Sequence, residues 1–165
     1  MKQSLIEKYP LLFSSNEMEP ISMFGLEIGE GWIPLIEIIC KRMYCRVRNF
    51  EYQIKHCKSE LEKEPTEENR NKLDKTEQNF EEYKSNMPII QQVKEKFGML
   101  RIYTSQLDIY MDGLIDMAEE VSGHICEECG NKGMLYTINW HKTLCEKHAD
   151  ERYGEKAEEF RKRLN

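Results

Sequence analysis

The clearest regularity in the chain has a period of seven. Ile36, Cys40, Met43, Val47, Phe50, Ile54, Cys57 and Leu61 follow one another at alternating steps of four and three residues. This is the seam of a heptad repeat, and it predicts one long helix that starts near Pro34 and ends before Pro65. Thr66 is placed to cap a second helix, with Glu67 and Glu68 in the first turn where the helix dipole favours them. Leu73, Thr76, Phe80, Tyr83 and Met87 continue the three-four spacing, and the short link at Pro65 forces the two helices antiparallel. A helical hairpin over 33–87 is therefore expected, sparse on its second seam and thinly packed toward its tip.

On either side the period changes. Residues 1–32 read as an irregular lead-in ending in a strand, because Phe24, Leu26 and Ile28 alternate with smaller or polar residues before Gly29-Glu30-Gly31 breaks the pattern at Trp32. After Pro88, the segments Ile89 to Lys96 and Met99 to Thr104 flank Phe97-Gly98 and predict a strand pair turning at the glycine. Ser105-Gln106-Leu107-Asp108 resembles a capping box with Asp in place of Glu. Leu107, Tyr110, Met111, Leu114, Met117, Ala118 and Val121 then supply the stripe of an amphipathic helix closed by Gly123. Cys145 to Leu164 reads as one final helix.

Composition narrows the setting. With 33% charged and 39% hydrophobic residues in 165, the chain is wetter than an average globular protein, as a core of about 100 residues carrying exposed helices would be. The net charge of -6 opposes non-specific nucleic-acid binding, which needs an excess of Lys and Arg, although a local basic patch stays open. The N-terminal Met1-Lys2-Gln3-Ser4-Leu5-Ile6-Glu7 has neither the apolar run nor the cleavage site of a signal peptide, and no stretch approaches the ~18 apolar residues of a membrane span. The expected compartment is the cytosol, where six cysteines favour a metal over disulfides.

The spacing of the later cysteines agrees. Cys126-Glu127-Glu128-Cys129 is followed, after 15 intervening residues, by Cys145-Glu146-Lys147-His148. Two pairs, C-x2-C and C-x2-H, wrap opposite sides of a tetrahedral ion, and thiolates with one imidazole select zinc. Protein fills all four positions, so the expected ion is a structural staple without an open catalytic position. His124 and His141 are alternative fourth ligands, but neither has the two-residue offset of His148. Cys40 and Cys57 fall on the heptad seam as small buried residues. Cys45 and His56 lie off it, with no paired spacing to suggest a second metal site.

Together these patterns predict an α+β fold: a small antiparallel sheet with packed helices, an inserted long antiparallel helical hairpin, and a C-terminal zinc ribbon. The expected divisions are 1–32 (lead-in and core strand), 33–87 (hairpin), 88–123 (strand pair and amphipathic helix) and 124–165 (zinc ribbon and final helix).

The segment Val93-Lys94-Glu95-Lys96-Phe97-Gly98-Met99-Leu100-Arg101-Ile102-Tyr103, the helix after it and the ribbon ending Thr143-Leu144-Cys145-Glu146-Lys147-His148-Ala149 resemble uncharacterised small proteins of bacteriophages and bacterial genomes. These carry an FGxLRxY-type segment and a C-terminal CxxC…CxxH zinc ribbon. The lead-in Tyr9-Pro10-Leu11-Leu12-Phe13 and the Gly29-Glu30-Gly31-Trp32 turn are similar too. The resemblance implies a phage or mobile-element setting, hence the host cytoplasm.

One surface is a candidate for binding. Alternation on the strand from Met99 puts Leu100 and Ile102 on a core face and Met99, Arg101 and Tyr103 on the other, with Lys94 and Lys96 nearby across the turn. A guanidinium, a phenol and two ammonium groups suit phosphate pairing and base stacking; a solvated hairpin face is the plainer alternative. Trp32 either lines a pocket or anchors the core. No nucleophile, phosphate loop or carboxylate pair supports catalysis. Three functions stay open: non-enzymatic capture of an anionic nucleotide-like ligand, such as a host immune signal, in an anti-defence role; a protein–protein adaptor or homo-oligomer acting through the hairpin; and nucleic-acid binding by the ribbon. The third is weakened because Met134 to Thr143 offers only His141 and Lys142 as donors.

Overall fold

In the computed structural model, which describes residues 2–106 and 109–164, the heptad seam closes within the chain. The expected first helix is two, α3 (Ile33–Met43) and α4 (Cys45–Lys63), parted at Tyr44. The two halves have different partners. α3 buries Ile33, Ile36, Ile39, Cys40 and Met43 in the main core, while α4 turns its seam to α5 (Glu67–Ser85). Phe50 of α4 lies 5.3 Å from the Phe80 ring and 5.5 Å from Tyr83. Farther out, Cys57 meets Thr76 and the pairs Lys58–Glu77 and Lys72–Glu60 take over. The Thr66 hydroxyl caps α5 by accepting the Asn69 N–H. No residue of α5 is buried, so the thin packing read from the sequence is present. The apolar seam faces inward, between α4 and α5.

The expected antiparallel sheet is mixed. β1 (Leu26–Glu27) runs parallel to β2 (Ile90–Lys96), with Leu26 opposite Val93, and β2 runs antiparallel to β3 (Met99–Thr104), with Val93 opposite Ile102. The whole of α3–α5 lies between β1 and β2. A connection that long returns the chain in the same direction as easily as in reverse. The lead-in is more regular than expected, forming α1 (Lys2–Lys8) and α2 (Pro20–Phe24). Pro20 starts α2, which puts Phe24 at an exposed helix end and shortens the strand to two residues.

Beyond β3, α6 (Ile109–Ser122) covers the open sheet edge. The Ser122 hydroxyl accepts the Leu100 N–H at 2.9 Å and a Glu119 oxygen accepts the Ile102 N–H at 2.8 Å, satisfying donors that an edge strand leaves free. This requirement turns the helix. Its buried face is Met111, Ile115, Ala118 and Ser122, while Tyr110, Met117 and Val121 of the expected stripe are exposed. Leu107 and Asp108 of the expected capping box lie outside the described residues.

The C-terminal unit pairs β4 (Met134–Tyr136) with β5 (Lys142–Leu144), followed by α7 (Glu146–Tyr153) and α8 (Glu155–Leu164). The predicted final helix is broken at Gly154, whose φ of 58° ends α7. Tyr136 sits between Tyr153 and Phe160, forming a small core separate from the main one. The architecture is thus α+β, with eight helices, a three-stranded mixed sheet and a two-stranded sheet among the described residues. No described helix is long and apolar enough to cross a membrane.

Candidate metal centre

The first ligand pair sits in a tight turn. The Cys126 N–H donates to the Asn131 carbonyl at 2.7 Å and the Gly130 N–H to the Cys126 carbonyl at 2.9 Å, folding Cys129 back over Cys126. The second pair sits where β5 gives way to α7: Cys145 is the residue before the helix and His148 lies in its first turn. β4 and β5 bring the two pairs together. The Sγ atoms of Cys126, Cys129 and Cys145 and a ring nitrogen of His148 all lie within 4.8 Å of one another, a set that can hold a metal ion. His148 Nδ1 is 3.3 Å from both Cys126 and Cys145, and Cys129 Sγ is 3.8 Å from Cys145 Sγ. The Nε2 side of the ring looks toward Glu151 at 3.9 Å.

Electrostatics separate the thiols. Burial raises the Cys126 thiol above its ordinary value. At Cys145 burial also opposes ionisation, but the His148 and Lys147 N–H groups and the neighbouring thiols outweigh it and lower the pKa. His124 and His141 stay out of the cluster, and no group containing Cys45 or His56 forms among the described residues. Cys40 is buried, and that burial pushes its thiol up to about 12.

The cluster is bolted to the main domain by residues the motif does not contain. Glu127 lies between the two ligands of the first pair. Its backbone carbonyl accepts the Gly31 N–H at 2.8 Å, and its side chain accepts the Gly29 N–H at 3.1 Å. Its other carboxylate oxygen meets Lys142 at 2.7 Å, and Lys142 also reaches Glu95 at 2.9 Å. These three side chains are only 5%, 14% and 11% exposed, so the triad lies inside the junction. Thr143 completes the seam by donating to the Gly98 carbonyl at 2.6 Å. Lys142 is thereby withdrawn from any nucleic-acid surface. The sequence offers Lys142 only as a nucleic-acid donor and gives no sign of its pairing with Glu127, because an acid between two candidate metal ligands and a lysine two residues after Trp140 look like ordinary surface charges.

The expected ligand face is only partly available. Lys94, Lys96, Arg101 and Tyr103 do share one side of the β2–β3 pair, with Lys94 opposite Arg101 and its ammonium 5.1 Å from the Tyr103 ring centre. Tyr103 is 41% exposed. Arg101 is spoken for, bonded to Glu119 at 3.1 Å and to the Leu100 carbonyl at 2.7 Å. Trp32 is 0% exposed, its indole N–H donating to the Ile125 carbonyl at 2.7 Å. It is a core anchor and offers no surface to a ligand.

Compared with known proteins, the chain matches no family model, no curated protein and no solved structure.

Proposed function

We propose that the protein is a non-enzymatic binding protein stapled by one structural zinc ion, and that its ligand is a small nucleotide-like anion. The observation that carries the zinc reading is the closed donor set. Three thiols and one imidazole converge, and a Zn–S bond of about 2.3 Å in tetrahedral geometry puts two sulfurs about 3.8 Å apart. The Cys129–Cys145 distance of 3.8 Å fits that spacing. With four protein ligands the ion lacks a position for water, so its contribution is to folding: it closes a unit whose own core is small and which holds the Gly29–Trp32 turn in place. Metal analysis of purified protein should return about one zinc per chain.

The ligand reading is supported by Lys94 beside the exposed Tyr103 ring, a cation and an aromatic surface together in an acidic chain. Mononucleotides and cyclic dinucleotides should raise the melting temperature and be recovered intact after heat denaturation; recovery of a cleaved product would make the protein an enzyme.

A protein–protein adaptor is the second reading, and one surface favours it. Tyr110, Met117 and Val121 lie exposed along α6 beside the exposed Asp112, Asp116 and Glu120. This face is a more open apolar surface than the hairpin seam, which α4 and α5 already occupy. A partner reached this way would bind with unchanged affinity after the hairpin tip is removed and would be lost on Met117→Glu.

A further inference from the structure

The bend between α3 and α4 places unlike groups around one hollow. A cavity of about 340 Å³ opens there, within the size range of small-ligand sites. Arg42 and Arg46 stand on its rim, Tyr83 and Tyr110 form its walls, and the buried Met43 and Met111 give it an apolar lining. Arg46 lies 5.5 Å from the centre of the Tyr83 ring. Neither arginine has a carboxylate partner among the described residues, although acidic residues outnumber basic ones 30 to 24 in the chain. Two like charges four residues apart repel, and among the described residues no ion pair relieves that repulsion.

We infer that this cavity is where the nucleotide-like anion binds, its phosphate held by the Arg42 and Arg46 guanidinium groups and its base laid against Tyr83 and Tyr110. The inference rests on the reading that the chain captures such a ligand, and it moves the ligand away from the β2–β3 face, where Glu119 already neutralises Arg101. Guanidinium groups present paired donors that match phosphate oxygens, and phenol rings give a base a flat surface. Among the described residues no carboxylate lines the hollow. Another basic hollow, under Thr137 and Phe160, has Lys156 and Arg163 but also Glu159, which opposes an anion.

Cys45 provides an independent readout, since it lines the cavity and is the exposed thiol outside the metal cluster. AMP, with inorganic phosphate as the second probe, should bind the zinc-loaded protein and slow alkylation of Cys45 by iodoacetamide, followed by peptide mass spectrometry. Arg42→Ala and Arg46→Ala should each weaken AMP binding by about tenfold to a hundredfold, the loss of one charged hydrogen-bonding partner. Lys156→Ala, at the hollow under Thr137 and Phe160, should leave binding unchanged. Both arginines are exposed, so zinc content and melting temperature should match the wild type; Arg46→Gln serves as a milder variant if they do not. AMP binding that survives in both arginine variants, or that leaves Cys45 labelling unaltered, overturns this placement but keeps the ligand reading. A wild-type protein that binds neither AMP nor any other nucleotide tested overturns both.

Discussion

The Gly31 amide and the Glu127 carbonyl meet at 2.8 Å, joining a turn in the N-terminal third to the loop between the first two metal ligands. A Cβ on Gly31 would fall 2.2 Å from the Cys126 carbonyl oxygen and 2.4 Å from the Gly130 nitrogen; on Gly29 it would fall 2.2 Å from the Glu127 carbonyl oxygen. Those obstacles are backbone atoms, which cannot rotate aside. Gly31→Ala should therefore cost about 3 kcal/mol, the upper part of the usual overpacking range. It should also make the 124–150 segment sensitive to protease under conditions where the wild type resists. Urea unfolding and limited proteolysis measure the two effects, and an unchanged midpoint would show that the turn does not hold the cluster.

Loss of the metal should act at the same junction. Cys129→Ser and Cys145→Ser should abolish stoichiometric zinc and unfold residues 124–150, whereas Cys45→Ser, outside the cluster, should retain both metal and melting temperature. A chelator should lower the wild-type melting temperature to that of Cys129→Ser. Equal melting temperatures for wild type and Cys129→Ser before chelation would remove the ion from the folding account.

Several parts of this arrangement are legible in the sequence because they are periodic or paired. The Cys126–Cys129 and Cys145–His148 pairs announce themselves by spacing, and Phe50, Phe80 and Tyr83 by the three-four repeat. The parallel pairing of Leu26 with Val93 is not legible, since two residues carry no period and their partner lies beyond the hairpin. Nor is the turn of α6, which is set by the need of the Leu100 and Ile102 N–H groups for acceptors on Ser122 and Glu119. The same need explains Arg101: once Glu119 sits at the strand edge, the guanidinium is drawn to it and away from solvent.

The Glu95–Lys142–Glu127 triad gives the junction a pH signature. Burial alone would raise the Glu95 pKa, but the Gly98 N–H and the Lys142 ammonium outweigh it and hold the carboxyl below its ordinary 4.5. Its stabilisation is therefore complete above 4.5 and fades as pH falls through the lowered folded value. Burial alone would lower Lys142, but Glu127 and Glu95 outweigh it and raise the ammonium above its ordinary 10.5. That contribution is complete below 10.5 and fades as pH rises through the raised folded value. Metal ligands also take up protons in acid, so the alkaline limb is the diagnostic one. Lys142→Met should cost about 3 kcal/mol near neutral pH by leaving two buried carboxylates unpaired, and should flatten the decline above pH 10.5. A wild-type-like alkaline limb in the variant would assign that decline to other groups.

The hairpin should divide into a dispensable tip and an essential base. Replacing residues 58–72 by a short glycine-containing turn should leave zinc content and the main thermal transition nearly unchanged, because α5 has no buried residue and the outer pairs are solvent-exposed salt bridges. Phe50→Asp should cost about 3 kcal/mol, placing a charge against Phe80 and Tyr83. Global unfolding of the tip-deleted protein would show that the tip packs on something other than its own helix pair.

The Trp32 bond to Ile125 also sets a schedule for synthesis. Trp32 is the largest fully buried side chain, and the carbonyl that accepts its indole N–H lies 93 residues downstream. At ordinary translation rates of about 5–20 residues per second, that acceptor emerges roughly 5–20 s after the tryptophan. Until then the nascent chain carries the centre of its core unfinished, with apolar surface open to chaperones and to neighbouring polysomes. The last ligand, His148, is made later still. If the cluster takes up the proposed zinc, metal supply governs how long each new molecule stays in that vulnerable state, and scarcity should reduce yield through aggregation during synthesis before it affects molecules already folded.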